Sequence, residues 1–454
     1  MNVVVVGGGI AGLSAAYALA SRGAAVTLVE RDTRLGGKIG TDRVDGFLVE
    51  RGPDAMLSAS PAVTSLLADL GLTPELRAPR EPHAVYVWHA GRLVPLPEGV
   101  GFGIPTRVLP FARSALFSPR EKLRAALDVV LPAGSADADE AIGAFLRRRF
   151  GDAVVERLAG PLIGGVYGAR VDELSLLALL PRLREAERTQ RSLILAGLRA
   201  RRRAGPRADA VLVAPDRGMS SLVDALASRL RGVDVRTGVG ARRVARTMAC
   251  YAVALSDGSQ VSADALVIAT PAPVTAALLE DLAPSTSASL RSFPYRGTAA
   301  VSLGYATRQL DAPPAGHGFV VPDGALAIAA CTWSSAKWRG RAPAGSVLVR
   351  ATIRDERVLA GDDRSLIAAA HRDVARAMAV SGSPAMAHVA RWPAAMPRYT
   401  VGHLDRLAVV DAGLAAHPRI VLAGAAYRGS GVPDCIAQGL AAATRLLETE
   451  RVAA

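Results

Sequence analysis

The chain has 454 residues, half of them hydrophobic, with a formal net charge of +13 at pH 7 and three cysteines. That length exceeds one small domain and suffices for two or three with substantial cores, while Cys250, Cys331 and Cys435, odd in number and far apart, exclude a disulfide framework and a C-x-x-C metal or redox pair. No run approaches the roughly 18–20 apolar residues of a spanning helix, and no charged stretch with an apolar core precedes the first strand, so neither a transmembrane segment nor a secretory signal is expected and a reducing cytoplasm fits best.

The opening "VVVV", Val3 to Val6, reads as a strand buried on both faces of a parallel sheet. Gly7, Gly9 and Gly12 then form a G-x-G-x-x-G turn into the helix pattern "AGLSAAYALASRG", closed by Gly23. Such glycines permit a tight turn, close backbone approach to a pyrophosphate and close helix–sheet contact, and the helix start offers N–H groups to an anion. A second strand, "AVTLVE", ends in Glu30, placed to accept hydrogen bonds from a ribose diol and to repel a 2′-phosphate. The combination predicts an adenine-dinucleotide site.

Turn-rich extended structure follows to about residue 60, punctuated by Gly36-Gly37 and Gly52-Pro53. One helix, "PAVTSLLADLGL", precedes a hairpin whose loop is His89-Ala90-Gly91-Arg92. From about 100 to 200 the i, i+3, i+4 spacing predicts a separate α-helical lobe. "DRGMSSLVDALASRLRG" reads as a capped helix, and the strands after it turn at Asp257-Gly258 and end in a buried strand, "ALVIAT". Near the C-terminus "RIVLAGAAYRGSGVPDCIAQGLAAATRLLE" repeats strand, glycine loop and long helix, so the first domain is expected to be discontinuous. The fold class is α/β: a Rossmann-like dinucleotide domain (1–60, 207–280, 396–454), a mixed α+β substrate domain (61–98, 281–395) and a helical lobe (99–206). Two basic clusters, "FLRRRF" and "LRARRRAGPR", read as a solvated helix face and a polar loop. Without interleaved aromatics they give nucleic-acid bases no stacking platform, so no nucleic-acid partner is expected, though an anionic partner suits the charge.

Several blocks together resemble the flavin-dependent porphyrinogen oxidases, in the wider superfamily of monoamine oxidase and phytoene desaturase: "GGGIAGL", Glu30, "LGGKIGT…DGFLVERGPDA", "DRGMSSL", "VIATPAP" and "AYRGSGVPDCIAQG". The stretches "GIPTRVLPF", "FLRRRFGDAVVERLAGPLIGGVYG", "DELSL" and "RSLILAGLRA" are most similar to the bacterial coproporphyrinogen III oxidase branch. This resemblance implies non-covalent FAD and oxidation of an anionic porphyrinogen by oxygen, which yields hydrogen peroxide. It also leaves room for peripheral membrane contact and for transient contact with other enzymes of haem synthesis.

Carried over position by position, the resemblance lays the pyrophosphate on Gly7, Gly8, Gly9, Ile10, Ala11 and Gly12, and the ribose on Glu30 with Arg31 beside it. Lys38 and the turn Gly52, Pro53, Asp54, Ala55 approach the cofactor, Ala241 holds the adenine by its main chain, and Trp392, Gly431, Val432 and Pro433 reach the isoalloxazine. Gly165 corresponds to a glycine facing the substrate's pyrrole nitrogens. One departure stands out: the arginine that clamps a propionate in mitochondrial-type protoporphyrinogen oxidases is absent before "VYVWHAG", where this chain has Pro82-His83-Ala84.

Cofactor chemistry explains why no Ser-His-Asp set, carboxylate pair or metal cluster stands out, with no two of the seven histidines at i, i+3 or i, i+4. No catalytic side chain is assigned beyond the flavin. Cys435 reads as a small buried residue rather than an attachment point, and the helix it begins as a dipole aimed at reduced flavin. Alternatives are protoporphyrinogen IX oxidation, an amine oxidase or desaturase, and a flavin-binding partner without turnover. Against the amine oxidase, the C-terminal region offers Tyr427 and no second aromatic for a cage.

Overall fold

The structure, a computed structural model, describes residues 1–58, 61–101, 104–105, 107–134, 138–204, 212–248 and 250–453. Strands β1 (Asn2–Val6) and β2 (Ala25–Glu30) flank helix α1 (Ile10–Ala20). The hairpin of β3 (Thr41–Val44) and β4 (Phe47–Glu50) turns through Asp45 and Gly46, both at positive φ. Helix α2 (Pro61–Asp69) follows, and β5 (Val85–His89) and β6 (Arg92–Pro95) form the expected hairpin, with Ala90 and Gly91 at positive φ.

The periodic stretch from 108 to 204 is helical but broken. Helix α3 (Ile142–Phe150) stops at Gly151, α4 (Gly160–Tyr167) stops at the left-handed Gly168, and Pro181 and Arg191 interrupt the run before α5 (Leu193–Ala204). Next come α6 (Ser220–Ser228), β7 (Asp234–Thr237), the antiparallel trio β8 (Ala241–Arg246), β9 (Tyr251–Leu255) and β10 (Gln260–Ala263), and β11 (Ala265–Ile268). The rest of the chain supplies β12 (Tyr295–Ala306), β13 (Gly318–Val320), β14 (Ile328–Thr332), β15 (Ser346–Ile353), α7 (Asp363–Met378), β16 (Met386–Pro397), β17 (Ile420–Leu422) and α8 (Val432–Ala453).

Two sheets organise these elements. The first is parallel, in the order β7-β2-β1-β11-β17, and draws its strands from both ends and the middle of the chain. Order reverses at β1, which opens a crevice beyond its carboxyl end. Helices α1 and α8 cross where Gly439 lies against Ala11; a Cβ there would stand 2.2 Å from the Ala11 carbonyl oxygen. The second sheet has seven strands, β16-β12-β15-β14-β13-β5-β6. One face packs Val301, Leu303, Val349, Ala351 and Ile353 with Leu366, Ala370 and Val374 of α7. Across the other lie the β3–β4 hairpin, with Phe47 against Gly304, and helix α4 near β13 and β14.

Three expectations change. The helical lobe is not separate, because Val87 and Val94 of the β5–β6 hairpin lie in its core. Residues 61–77, grouped above with the substrate domain, pack Val63, Leu66, Leu67, Leu70 and Leu72 into the core of the first sheet, and Leu76–Arg77 pairs with Pro215 and Ala214. The expected boundary at 206–207 lies outside the described residues. "FLRRRF" is not a solvated face throughout: Arg149 is fully buried, its Nε 2.6 Å from Asp128 Oδ1, with further bonds to the carbonyls of Asp128, Pro132 and Arg191. Arg199 and Arg202 of the second cluster are exposed, and its residues 205–207 lie outside the described residues.

The reading of α6 as a capped helix also needs correction, since no side chain of its own caps it. Its first N–H groups find their acceptors on the β3–β4 hairpin instead. Glu50 Oε1 accepts from Met219 at 3.0 Å and Thr41 Oγ1 from Ser220 at 3.0 Å. Glu50 is therefore buried at a helix start, beside the Arg341 guanidinium at 3.3 Å. Such a terminus needs acceptors, and here tertiary structure brings them.

Candidate functional site

The crevice at the end of β1 is walled by backbone. Gly7, at φ +105°, donates its N–H to the Val29 carbonyl at 2.8 Å, and a Cβ on it would come within 2.9 Å of the Ala269 oxygen. Gly12 is more constrained still, because its Cβ would lie 1.9 Å from the Gly7 oxygen. Gly9 differs: nothing stands within 4 Å of a Cβ there, so the start of α1 faces open space. No side chain caps α1 and no acidic residue occupies its first turn, which leaves the N–H groups around Ile10 and Ala11 with a positive dipole end and no side-chain acceptor. This chemistry fits a pyrophosphate.

Glu30 closes β2 beside that loop. Its Oε2 accepts from the Gly8 N–H at 2.6 Å and its Oε1 from the Asp32 N–H at 2.8 Å, so the carboxylate ties the glycine turn to the next one while lone pairs remain for an incoming hydroxyl. Arg31 is exposed; its stem passes over Gly240, and Val239 donates to the Glu30 carbonyl at 3.0 Å, which brings Ala241 to the same edge. Glu30 and Arg31 thus meet Ala241, which is distant in sequence.

A second cluster lies further along. Gly52 sits so close to Lys38 that a Cβ would be 2.0 Å from the Lys38 oxygen. Lys38 Nζ donates to the Ala395 carbonyl, and burial lowers its pKa. Asp54, two residues past Gly52 and between Pro53 and Ala55, accepts from Lys337 Nζ at 2.9 Å and Trp338 Nε1 at 3.4 Å. Burial works to raise the Asp54 carboxyl, but the charges of Lys337 and Arg350 and these bonds outweigh it and hold it well below the usual carboxylate range. Trp392 donates Nε1 to the Arg51 carbonyl at 2.7 Å, which places it at the same turn.

At the start of α8, Gly431, Val432 and Pro433 lead into Asp434, whose Oδ2 accepts from the Gly431 N–H at 3.1 Å. Sequence reasoning overlooked this: the helix start expected to face reduced flavin carries its own carboxyl, which burial pushes upward. Cys435 is buried and burial raises its thiol to about 12, so it is a packed, unreactive side chain. Tyr427 is a core residue, its hydroxyl donating to Thr275 Oγ1 at 3.2 Å.

On the far wall, nothing stands within 4 Å of a Cβ at Gly165 on α4. The neighbouring Gly164 carbonyl accepts from Arg354 Nη1 across the cleft. Arg296, Arg350 and Arg354 were missed by the sequence reading. For Arg350 and Arg354 the signal was present in the alternation of "VLVRATIR", which sets them on one face of a strand whose other face is apolar.

Residues 10–447 match the family described as flavin containing amine oxidoreductase. Among curated relatives, a coproporphyrinogen III oxidase of Propionibacterium freudenreichii subsp. freudenreichii is 40% identical, covering 98% of this chain and 91% of the relative. One of Bacillus subtilis (strain 168) is 35% identical over 98% of each. A crystal structure from Exiguobacterium sp. 255-15, named for protoporphyrinogen oxidation, superposes with a TM-score of 0.86 at 32% identity, covering 99% of both chains.

Proposed function

The chain belongs to the flavin-containing amine oxidoreductases, and we propose that it is an FAD-dependent oxidase converting coproporphyrinogen III to coproporphyrin III in haem synthesis. The observation that carries this is 40% identity, along nearly the whole chain, to a relative named for that activity. Six hydrogens leave the macrocycle in three two-electron rounds, and each round reduces one oxygen molecule to hydrogen peroxide. Bound FAD would supply the two-electron acceptor that each round needs.

The chain's own part is to bind, orient and exclude water. The α1 start, from Gly9 through Gly12, receives the pyrophosphate, with Gly7 and Gly8 shaping the turn. Glu30 takes the ribose diol, Arg31 lies alongside, and the main chain of Ala241 holds the adenine. Lys38 and the turn Gly52 to Ala55 approach the cofactor, Trp392 and Gly431 to Pro433 reach its isoalloxazine, and Gly165 faces the substrate. The division into a cofactor domain, a substrate domain and a helical lobe belongs to the same reading, with 61–77 moved to the cofactor domain because it shares that core. Among the described residues no helix is long and apolar enough to cross a membrane. Exposed Leu109, Leu123 and Val130 on the helical lobe suit peripheral contact with a membrane or with another enzyme of haem synthesis.

The second reading is protoporphyrinogen IX oxidation, favoured by the name of the Exiguobacterium structure. Purified flavin-loaded protein is assayed with both porphyrinogens in one buffer, following porphyrin fluorescence and peroxide. Coproporphyrinogen III is expected to show the higher kcat/KM; a clear preference for protoporphyrinogen IX selects the second reading, and turnover of neither refutes both.

A further inference from the structure

Buried charge in this protein is normally answered by a partner. Arg149 shows the rule, with bonds from Nε and both Nη atoms. One face of the second sheet departs from it. Along β15 the side chains of Val349, Ala351 and Ile353 enter the core under α7, so Arg350, Thr352 and Arg354, just past the strand, point to the opposite face, into the cleft roofed by α4. Arg296, on neighbouring β12, acts electrostatically on Arg354.

These three side chains carry buried nitrogens without a hydrogen-bond partner: Nε of Arg296, Nε and Nη1 of Arg350, and Nε of Arg354. An orphaned Nε alone distinguishes little, since Arg51, Arg184, Arg398 and Arg406 share it. The clustering and the counterions do. Arg341 also has two such nitrogens, but Glu50 lies 3.3 Å away. Among the described residues Arg296 has only Glu356, at 3.9 Å and itself 79% exposed. Arg354 is balanced by Asp323, which is 74% exposed, and Arg350 acts on Asp54, already bonded to Lys337. Burial and the charge of Arg296 bring Arg354 down to about 10, which leaves it a cation at neutral pH. The side chains are half-buried, Arg296 being 27% exposed, so the desolvated part of each is its orphaned nitrogen, and such a donor is costly unless an anion completes it.

We propose that Arg296, Arg350 and Arg354 form a carboxylate-binding wall in the substrate cleft, with Arg350 taking one acidic side chain of the substrate and the Arg296–Arg354 pair another. Resting on the porphyrinogen reading above, the proposal supplies the clamp that Pro82-His83-Ala84 does not provide. Four residues of strand separate Arg350 from Arg354, roughly 13 Å. A rigid macrocycle with several carboxylates on its rim can answer both ends at once, and guanidinium is the group best shaped to pair with a carboxylate.

The test titrates coproporphyrin III, the tetracarboxylate product, into flavin-loaded wild type, Arg296→Gln, Arg350→Gln and Arg354→Gln, reading porphyrin fluorescence, with flavin absorbance and circular dichroism as checks on folding. Each variant should bind about tenfold or more weakly, from the loss of a charge-assisted hydrogen bond, while flavin content stays unchanged. Arg354→Gln also loses the bond to Gly164, so where it folds poorly the result rests on Arg296→Gln and Arg350→Gln. Wild-type affinity in those two, or no binding by wild type, overturns the proposal. Arginine-dependent binding by a protein that oxidises neither porphyrinogen upholds the wall and sinks the oxidase reading.

Discussion

The glycine turn after β1 and the arginine face of β15 do the same physical task, presenting N–H donors to an anion, by opposite means. In the turn the donors are backbone groups, and the side chains that matter are absent ones: a Cβ at Gly12 would lie 1.9 Å from the Gly7 oxygen, whereas at Gly9 the space is empty. On the sheet the donors are long side chains, each with at least one buried nitrogen that lacks a partner. Backbone donors are positioned by local conformation; side-chain donors become a site only when other elements bury them. The first region should therefore fail through steric intrusion, and the second through loss of charge.

Gly12→Val should produce the largest effect. The intruding atoms meet backbone, which cannot yield as a flexible side chain can, so the cost should reach about 4 kcal/mol or more, the exceptional end of single substitutions. Protein purified without flavin and with a clearly lowered Tm is expected. Normal flavin content would show that the turn is not the tight element described.

Glu30→Ala comes next. It removes the acceptor of the Gly8 and Asp32 amides, and hydrogen bonds to a charged group contribute about 1.5–3 kcal/mol. Flavin affinity, measured by dialysis and reconstitution of the folded apoprotein, should therefore fall about tenfold or more. Retention equal to wild type would contradict Glu30's place in the site.

A smaller, pH-dependent effect concerns Asp54, between the two regions. Its folded pKa lies below its unfolded value, so the native state binds fewer protons, and the stabilisation is present above about pH 4 and lost as pH falls through the folded pKa. Thermal melts of wild type should drop on acidification below about pH 4, and Asp54→Asn should flatten that slope while lowering Tm at pH 7. An unchanged slope would remove Asp54 from the account. The smallest effect is expected for Cys435→Ser: the thiol is buried and held protonated, so flavin should still be released by acid or heat and its content should stay near wild type. Flavin that remains with precipitated wild-type protein, but not with the variant, would reveal a covalent link.

Sequence by itself determined the opening unit. Four buried valines, three spaced glycines and Glu30 specify strand, turn and strand through short-range sterics and hydrogen bonds, and those terms hold whatever packs around them. The hairpin at Ala90-Gly91 was legible for the same reason. Tertiary structure alone decided the rest. The cap of α6 comes from Glu50 and Thr41, some 170 residues earlier. Arg149 is a buried ion pair because Asp128 meets it from another helical turn, and Arg296, Arg350 and Arg354 face one cleft because two strands and α4 converge there. Side-chain partnership across long separations carries no local periodicity; it is set by which elements pack together, and a single chain read in order does not display that.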